Sequence, residues 1–380
     1  MTESYANLSQ SLSQLKDHRR QNRNIRHEFI DILIIALCGM LSGADDWVAI
    51  EAFGKEKISW LKRFLSLPNG IPSHDTFARL FAQIDPDAFL DTFIHWVNTQ
   101  RTYHDKEIIA VDGKTLRRSH DRKNGQSAIH MVSAWASENG LVLGQRSVDE
   151  KSNEITAIPE LLDTLVLDNC LITIDAMGCQ TAIADKIIAK NADYLLAVKD
   201  NQSVLKAGIE ATLSNRKPKP YQCPEIDFHQ CEGSNRDRYE VRRCWTTQSL
   251  TQLANAEKWP SLKTIALVET ERRHHGESVI ERRYYISSDT LSALACSDSV
   301  RKHWSIENSL HWVLDIAFRE DDCRVRSGNG AENLSRLRQF ALNLLKQDKS
   351  TKIGLKNKRM KAAWSTDYLA QLIGIELPDL

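Results

Sequence analysis

Apolar residues recur at helical spacing up to about residue 104, and the period changes to strand-like runs from about residue 105. Glu28 to Leu41 is apolar nearly all round, which predicts a buried helix ended by Ser42-Gly43. Asp46 then precedes an amphipathic segment, Trp47 to Phe53. After the Leu67-Pro68-Asn69-Gly70 turn, Phe77, Leu80, Phe81 and Ile84 form the stripe of a helix that Ser73 or Asp75 can cap. Asp85-Pro86 breaks that helix, and another runs through Phe89, Phe93 and Trp96. Short helices joined by tight turns suit a helix-turn-helix reader with His74, Thr76 and Arg79 on its free face; they equally suit a plain helical bundle or dimerisation module.

Two apolar runs, Ile108 to Val111 and Leu171 to Ile174, each end in a carboxylate, Asp112 and Asp175. Runs this rich in Ile and Val read as buried strands, and Gly113 predicts a turn directly after the first. Ala128 to Ala136 and Leu141 to Gln145 form a hairpin around Glu138-Asn139-Gly140. A helix from Glu154 to Leu165 (with Pro159 inside it), the second aspartate strand, a helix from Gln180 to Lys190 and a strand from Tyr194 to Val198 follow. Hairpins succeeded by alternating helix and strand predict a mixed α/β sheet with helices on both faces. Both aspartates then fall at the C-terminal ends of strands, where open α/β sheets place their sites. Either aspartate alone would be an ordinary turn or cap residue.

Residues 203 to 290 break the rhythm as a β-rich insertion, with strand-like runs at Tyr239 to Trp245, Thr264 to Glu269 and Arg283 to Ile286. Its arginines, Arg236, Arg238, Arg242, Arg243, Arg272 and Arg273, either track a phosphate backbone or face water. Helix returns from Ser299 to Ala317, where a spacing of four sets His303, Glu307, His311 and Asp315 on one face. The Glu320-Asp321-Asp322 run after it ranks behind Glu307, because acid runs are usually solvated. The expected organisation is a helical region over 1–104, a mixed α/β domain over 105–345 with its insertion at about 203–290, and a basic tail over 346–380.

Composition narrows this picture only locally. Lys plus Arg and Asp plus Glu are 50 each in 380 residues, so net charge announces no polyanionic partner. Basic clusters lie between Lys16 and Arg26 and between Lys346 and Lys361, suited to phosphate contacts or to a solvated face. The eight cysteines form no CxxC pair, which argues for buried thiols of a reducing compartment rather than a disulfide framework or zinc cage. The N-terminus lacks a signal-peptide apolar core, and Phe29 to Leu41 is too short to span a bilayer. A soluble, cytoplasmic protein is expected, without membrane contact.

Carboxylates from two strands and a later helix are what two-metal phosphoryl transfer requires. Mg²⁺, a hard ion, suits such oxygen ligands. Asp112 would bridge two ions, Asp175 and Glu307 would each hold mainly one, and Lys114 and Lys199 would neutralise phosphate charge. His303 and His311 are eight apart, too far for one zinc, and HExxH is absent. No GxxxxGK[ST] loop occurs, so a P-loop nucleotide does not power the chemistry.

Several motifs fall in a specific order: Gly70-Ile71-Pro72-Ser73-His74-Asp75-Thr76, Ala110-Val111-Asp112-Gly113-Lys114-Thr115-Leu116-Arg117 and Asp149-Glu150-Lys151-Ser152-Asn153-Glu154-Ile155. Thr173-Ile174-Asp175-Ala176-Met177-Gly178-Cys179-Gln180 follows, then Tyr194-Leu195-Leu196-Ala197-Val198-Lys199 with Asn201-Gln202, then His303-Trp304-x-Ile306-Glu307-Asn308-x-Leu310-His311-Trp312. Over nearly its whole length the chain resembles a DDE transposase of the RNase H-like superfamily, in the insertion-sequence branch that includes the H-repeat-associated proteins. The resemblance implies an RNase H sheet order with the insertion before the glutamate helix, and Asp112, Asp175 and Glu307 as the catalytic metal triad. It further implies two Mg²⁺ or Mn²⁺ ions, double-stranded DNA partners (terminal inverted repeats and target) and a homo-oligomer on DNA. Candidate DNA and phosphate contacts are Lys114, Arg117, Lys199, Asn201, Gln202, Arg238, Arg301, His303 and His311. The chain departs from the pattern at Asp200, where relatives commonly carry Gly, and at Val300, His303 and Leu314, where the superfamily often places Tyr, Arg and Lys. An idle DNA-binding relic and a metal-dependent nuclease without strand transfer are the alternatives.

Overall fold

The computed structural model describes residues 3–19, 25–120, 127–148, 154–213, 225–235, 238–274 and 277–375. Helices Glu3–Ser13, Phe29–Leu41, Trp47–Glu56, Ile58–Leu61, His74–Gln83 and Pro86–Gln100 precede the first strand. Every residue from Asp31 to Leu41 is buried, as the all-round apolar pattern requires. Gly43 ends that helix at φ 92°, a conformation that costs glycine no Cβ clash. Asp46 caps the next helix by accepting from the Ala49 N–H at 2.8 Å. Asp85 does more than break a helix: its carboxylate accepts from the Asp87 and Ala88 N–H groups and starts Pro86–Gln100, with Pro86 at the first helical position.

Nine strands form one sheet: β1 Ile108–Thr115, β2 His130–Ala136, β3 Leu141–Val148, β4 Leu171–Ile174, β5 Asp193–Val198, β6 Ile226–Asn235, β7 Arg238–Thr247, β8 Thr264–His274 and β9 Glu277–Ser287. Their order is β3-β2-β1-β4-β5-β9-β8-β7-β6. The first five keep β1, β2 and β3 antiparallel and β1, β4 and β5 parallel, which is the RNase H order expected. The insertion does not form a separate layer. Its last strand, β9, pairs antiparallel with β5, and the same sheet continues through β8, β7 and β6.

Side-chain alternation sorts the core onto two faces. Ile108, Leu171 and Leu195 pack with Val300 and Cys296 of helix Ala293–His303 on one face. Ile109, Val111, Ile172, Ile174 and Leu196 point the other way, into the larger core shared with the remaining helices. The outer edge of β3 is covered by helix Gly330–Gln347, whose buried polar residues satisfy that edge's backbone. Asn343 bonds both the N–H and the C=O of Val142, and Arg336 donates to Gln145 O at 2.9 Å.

The segment expected as a basic tail folds into helices Leu355–Trp364 and Thr366–Ile373. Two of its cations are internal. Lys358 donates to Leu345 O and Asp348 O, and Arg359 donates to Met40 O and pairs with Asp45 at 2.6 Å. Both side chains are thereby removed from any phosphate-contacting patch. Described arginines of the insertion also pair with acids, across strands for Arg243 with Glu269 and Glu271, Arg272 with Glu240 and Glu281, and Arg282 with Glu269, and along one strand for Arg242 with Glu240, Arg273 with Glu271 and Arg283 with Glu281. Among the described residues no helix is long and apolar enough to cross a membrane.

Candidate active site

The register places the two aspartates side by side. Val111 opposite Ile174 is the last parallel pair of β1 and β4, so Asp112, still on β1, and Asp175, just past β4, are the next residues along the chain. Neighbouring strands run about 4.8 Å apart, which makes the two residues lateral neighbours. Asp112 does not end its strand, however. β1 continues through Thr115, paired with β2 alone, with Asp112 opposite Ser133 and Gly113 opposite Val132. The turn expected at Gly113 is absent; the glycine serves a close approach instead. A Cβ there would collide with the Glu154 carboxylate and the His130 imidazole. Those two groups lie 2.5 Å apart, and the other His130 nitrogen meets the Thr115 hydroxyl at 2.9 Å.

The third element departs from one continuous α-helix. Ala293–His303 is followed by a π-helical turn, Glu307–His311, and then by helix Trp312–Phe318. Such single wide turns inside helices are frequent at functional sites. Here the turn carries Glu307 and His311 to Asp112. His311 Nδ1 lies 3.2 Å from Glu307 Oε2 and 3.6 Å from Asp112 Oδ2. One donor atom from each of Asp112, Glu307 and His311 lies within 4.8 Å of the others. Asp175 is outside that set; its Oδ1 accepts from the Met177 N–H at 3.0 Å and caps the short turn Ala176–Gly178.

Burial pushes the Asp112 carboxyl up to about 6, with His311 and the Gly113 N–H pulling down and Asp175 and Glu154 adding to the rise. A carboxylate that desolvated, beside two further acids, favours a bound cation. The donor set of two carboxylates and an imidazole, with Asp175 adjacent, fits a divalent ion.

The remaining sequence candidates divide. Lys114 is engaged by acids of this chain. Its Nζ is bonded to Asp315 and, at 2.9 Å, to Glu320, and the side chain is only 10% exposed. Asn201 and Gln202 donate to Ala176 O and Cys179 O, so they brace the loop that carries Asp175. Arg117 is exposed, with Asp321 at 3.3 Å, and Lys199 and Arg301 are exposed as well. The Arg238 side chain lies outside the described residues. His303 is buried, with Nδ1 3.0 Å from the Thr173 hydroxyl, and is removed from the Glu307–His311 pair. A cleft of about 570 Å³ opens beside Asp175, and Lys199, Arg282, Arg283 and Trp304 are among its lining residues. Arg283 stacks over the Trp304 ring at 4.3 Å. Sequence reasoning missed the Glu154–His130 pair and the acceptors of Lys114; no spacing marks either.

Burial lowers the His303 pKa to about 4. A histidine ordinarily titrates near 6.5, so the unfolded chain binds the extra proton first and stability is lost as pH falls from about 6.5 towards 4. From pH 7 to pH 5 this costs about 2 kcal/mol. Urea melts of the wild type and His303→Gln at both pH values are expected to differ by that increment. Equal pH dependence of the two proteins would refute the assignment.

The sequence signature described as transposase DDE domain matches residues 103–344, and its associated N-terminal signature, DDE_Tnp_1-associated, matches residues 9–97. YncI of Escherichia coli O157:H7, named as a candidate transposase, is 43% identical over 97% of this chain and 95% of its own length. YhhI of Escherichia coli K12, named as an H repeat-associated candidate transposase, is 40% identical over 96% of this chain and 97% of its own length. Among solved structures, a chain of the piggyBac transposase synaptic complex with hairpin DNA covers all of this chain (100%) and 80% of its own at 12% identity and a TM-score of 0.40, too distant to argue from. Both signatures and these relatives agree, and the chain belongs to the DDE transposases, in the branch of the H repeat-associated proteins.

Proposed function

We propose that this protein binds the ends of a DNA element, hydrolyses phosphodiesters there to free 3′-OH groups, and transfers those groups to target DNA. The observation that carries the reading is the convergence of Asp112 and Glu307 at the end of the parallel strands, with Asp175 in the neighbouring register position. Asp112, Glu307 and Asp175 would hold two divalent ions, Mg²⁺ or Mn²⁺. When bound, such ions make water a competent nucleophile near neutral pH and offset charge at the phosphate. The chain's own contribution is placement. β1 and β4 fix two carboxylates on adjacent rigid strands, and Asn201 and Gln202 brace the second of them. The cleft beside Asp175 receives the strand, with exposed Lys199 toward its phosphates. Arg117 and Arg301 extend the basic surface on exposed ground.

In the same reading residues 1–104 recognise the element ends and residues 105–345 carry the chemistry. Two ends must be joined in one event, so the working form is a homo-oligomer on DNA. The test is incubation of the full chain with a duplex carrying its element ends and a supercoiled target, with Mg²⁺, with Mn²⁺ and with EDTA. Nicked ends bearing 3′-OH and joined end–target products are expected with either metal and neither with EDTA. Cut ends without joined products would reduce the protein to a nuclease; no cleavage in either metal would overturn the proposal.

A further inference from the structure

We infer that His311 is itself a metal ligand, through Nδ1, and that it biases one of the two ion positions toward a divalent transition-metal ion such as Mn²⁺ over Mg²⁺. The inference rests on the metal-dependent reading above and adds a ligand to it. Three features of the site support it.

The first is distance. Ligand bonds of roughly 2–2.4 Å keep donor atoms around one ion within about 4.8 Å of each other. The atoms offered by Asp112, Glu307 and His311 satisfy that limit mutually. The second is orientation. The His311 side chain is 5% exposed, whereas Glu307 on the same turn is 63% exposed. A buried ring is held with Nδ1 toward two carboxylates from different elements, 3.2 and 3.6 Å away. As a hydrogen bond this is a divided, long contact for a single N–H; a cation at the centre satisfies all three groups at once.

The third is the backbone. The π-helical turn spans Glu307 to His311, the two residues concerned. Such turns inside helices are frequent at functional sites. Among the described residues the far nitrogen, Nε2, is buried without a hydrogen-bond partner, so the ring's polar contacts run through Nδ1.

Imidazole nitrogen is a poor match for Mg²⁺, which prefers all-oxygen coordination, and a better one for transition metals. The full-length protein is to be titrated with Mn²⁺ and separately with Mg²⁺ by calorimetry, and the Mn²⁺-loaded protein examined by pulsed electron paramagnetic resonance for coupling to a directly bound ¹⁴N. Wild type, His311→Gln, Asp112→Asn and, as a second buried histidine, His303→Gln are compared. Expected are a ¹⁴N coupling in wild type and His303→Gln that disappears in His311→Gln, and at least a roughly tenfold loss of Mn²⁺ affinity in that variant with a smaller change for Mg²⁺. Should His311→Gln fail to fold, Mn²⁺ bound without nitrogen coupling in the wild type still overturns the inference. Mn²⁺ bound without nitrogen coupling, or coupling that survives His311→Gln, overturns the inference; if Asp112→Asn still abolishes Mn²⁺ binding, the carboxylate reading stands without it. Binding that neither Asp112→Asn nor His311→Gln weakens overturns both.

Discussion

Asp112→Asn abolishes metal-dependent strand cleavage, by at least roughly 1,000-fold, and at the same time makes the metal-free protein more stable. The two effects have one cause. Burial, with Asp175 and Glu154 nearby, raises the Asp112 carboxyl to about 6 despite His311 and the Gly113 N–H. A carboxyl in an unfolded chain titrates near 3.9. A group raised on folding contributes stability below its unfolded pKa and loses it as pH rises through the folded value, so near pH 8 the charged Asp112 opposes folding in full. The shift corresponds to about 3 kcal/mol, and the 29% exposure of the side chain reduces the expected gain to about 1–2 kcal/mol. Thermal unfolding in EDTA at pH 8 should therefore show a higher midpoint for Asp112→Asn than for wild type. Added Mn²⁺ should reverse the order, because only the wild type binds the ion tightly at this site. A variant that is inactive and also less stable in EDTA would place Asp112 among structural acids instead.

The elements that bring Asp112 and Asp175 together were legible because each lies after a short apolar run, and apolar runs are what a doubly covered sheet demands. The end of β1 was not. Asp112-Gly113-Lys114 reads as a turn by composition, yet pairing with β2 holds it extended through Thr115, since strand formation follows neighbours more than intrinsic preference. The helical face written as His303, Glu307, His311 and Asp315 assumed uniform α spacing. The π-helical turn breaks that spacing: Glu307 stays beside His311, which meets Asp112, while His303 meets Thr173 and Asp315 meets Lys114. Nothing in residue type announces that turn. Glu320 looked like part of a solvated acid run but is fully buried, because charges distant in sequence compensate it. The polar residues of Gly330–Gln347 are buried for a similar reason, as the open edge of β3 needs hydrogen-bond partners.

Lys114→Met is expected to lower the unfolding free energy by about 3–5 kcal/mol, the cost of leaving a buried charge without its partner. Burial works against the Lys114 ammonium, but Glu320 and Asp315 more than offset it and keep its pKa above the ordinary value. Burial likewise pushes Glu320 up, and Lys114 with Arg338 holds it below the ordinary value on balance. Glu320 is 0% exposed, and without Lys114 it retains the Ser335 hydroxyl at 2.8 Å and Arg338 at 4.0 Å. The lysine thus ties β1, just past Asp112, to the helix just past His311. Its loss is expected to weaken Mn²⁺ binding as well, through the spacing of those two ligands. A phosphate contact would behave differently. Its removal would leave the urea midpoint in place, weaken DNA binding evenly across sequences and reduce the salt slope by about one. The double variant Lys114→Met/Glu320→Gln separates the two roles. It removes the stranded carboxylate, so it should recover part of the lost stability and metal affinity. A phosphate-binding lysine gives no reason for Glu320→Gln to restore anything.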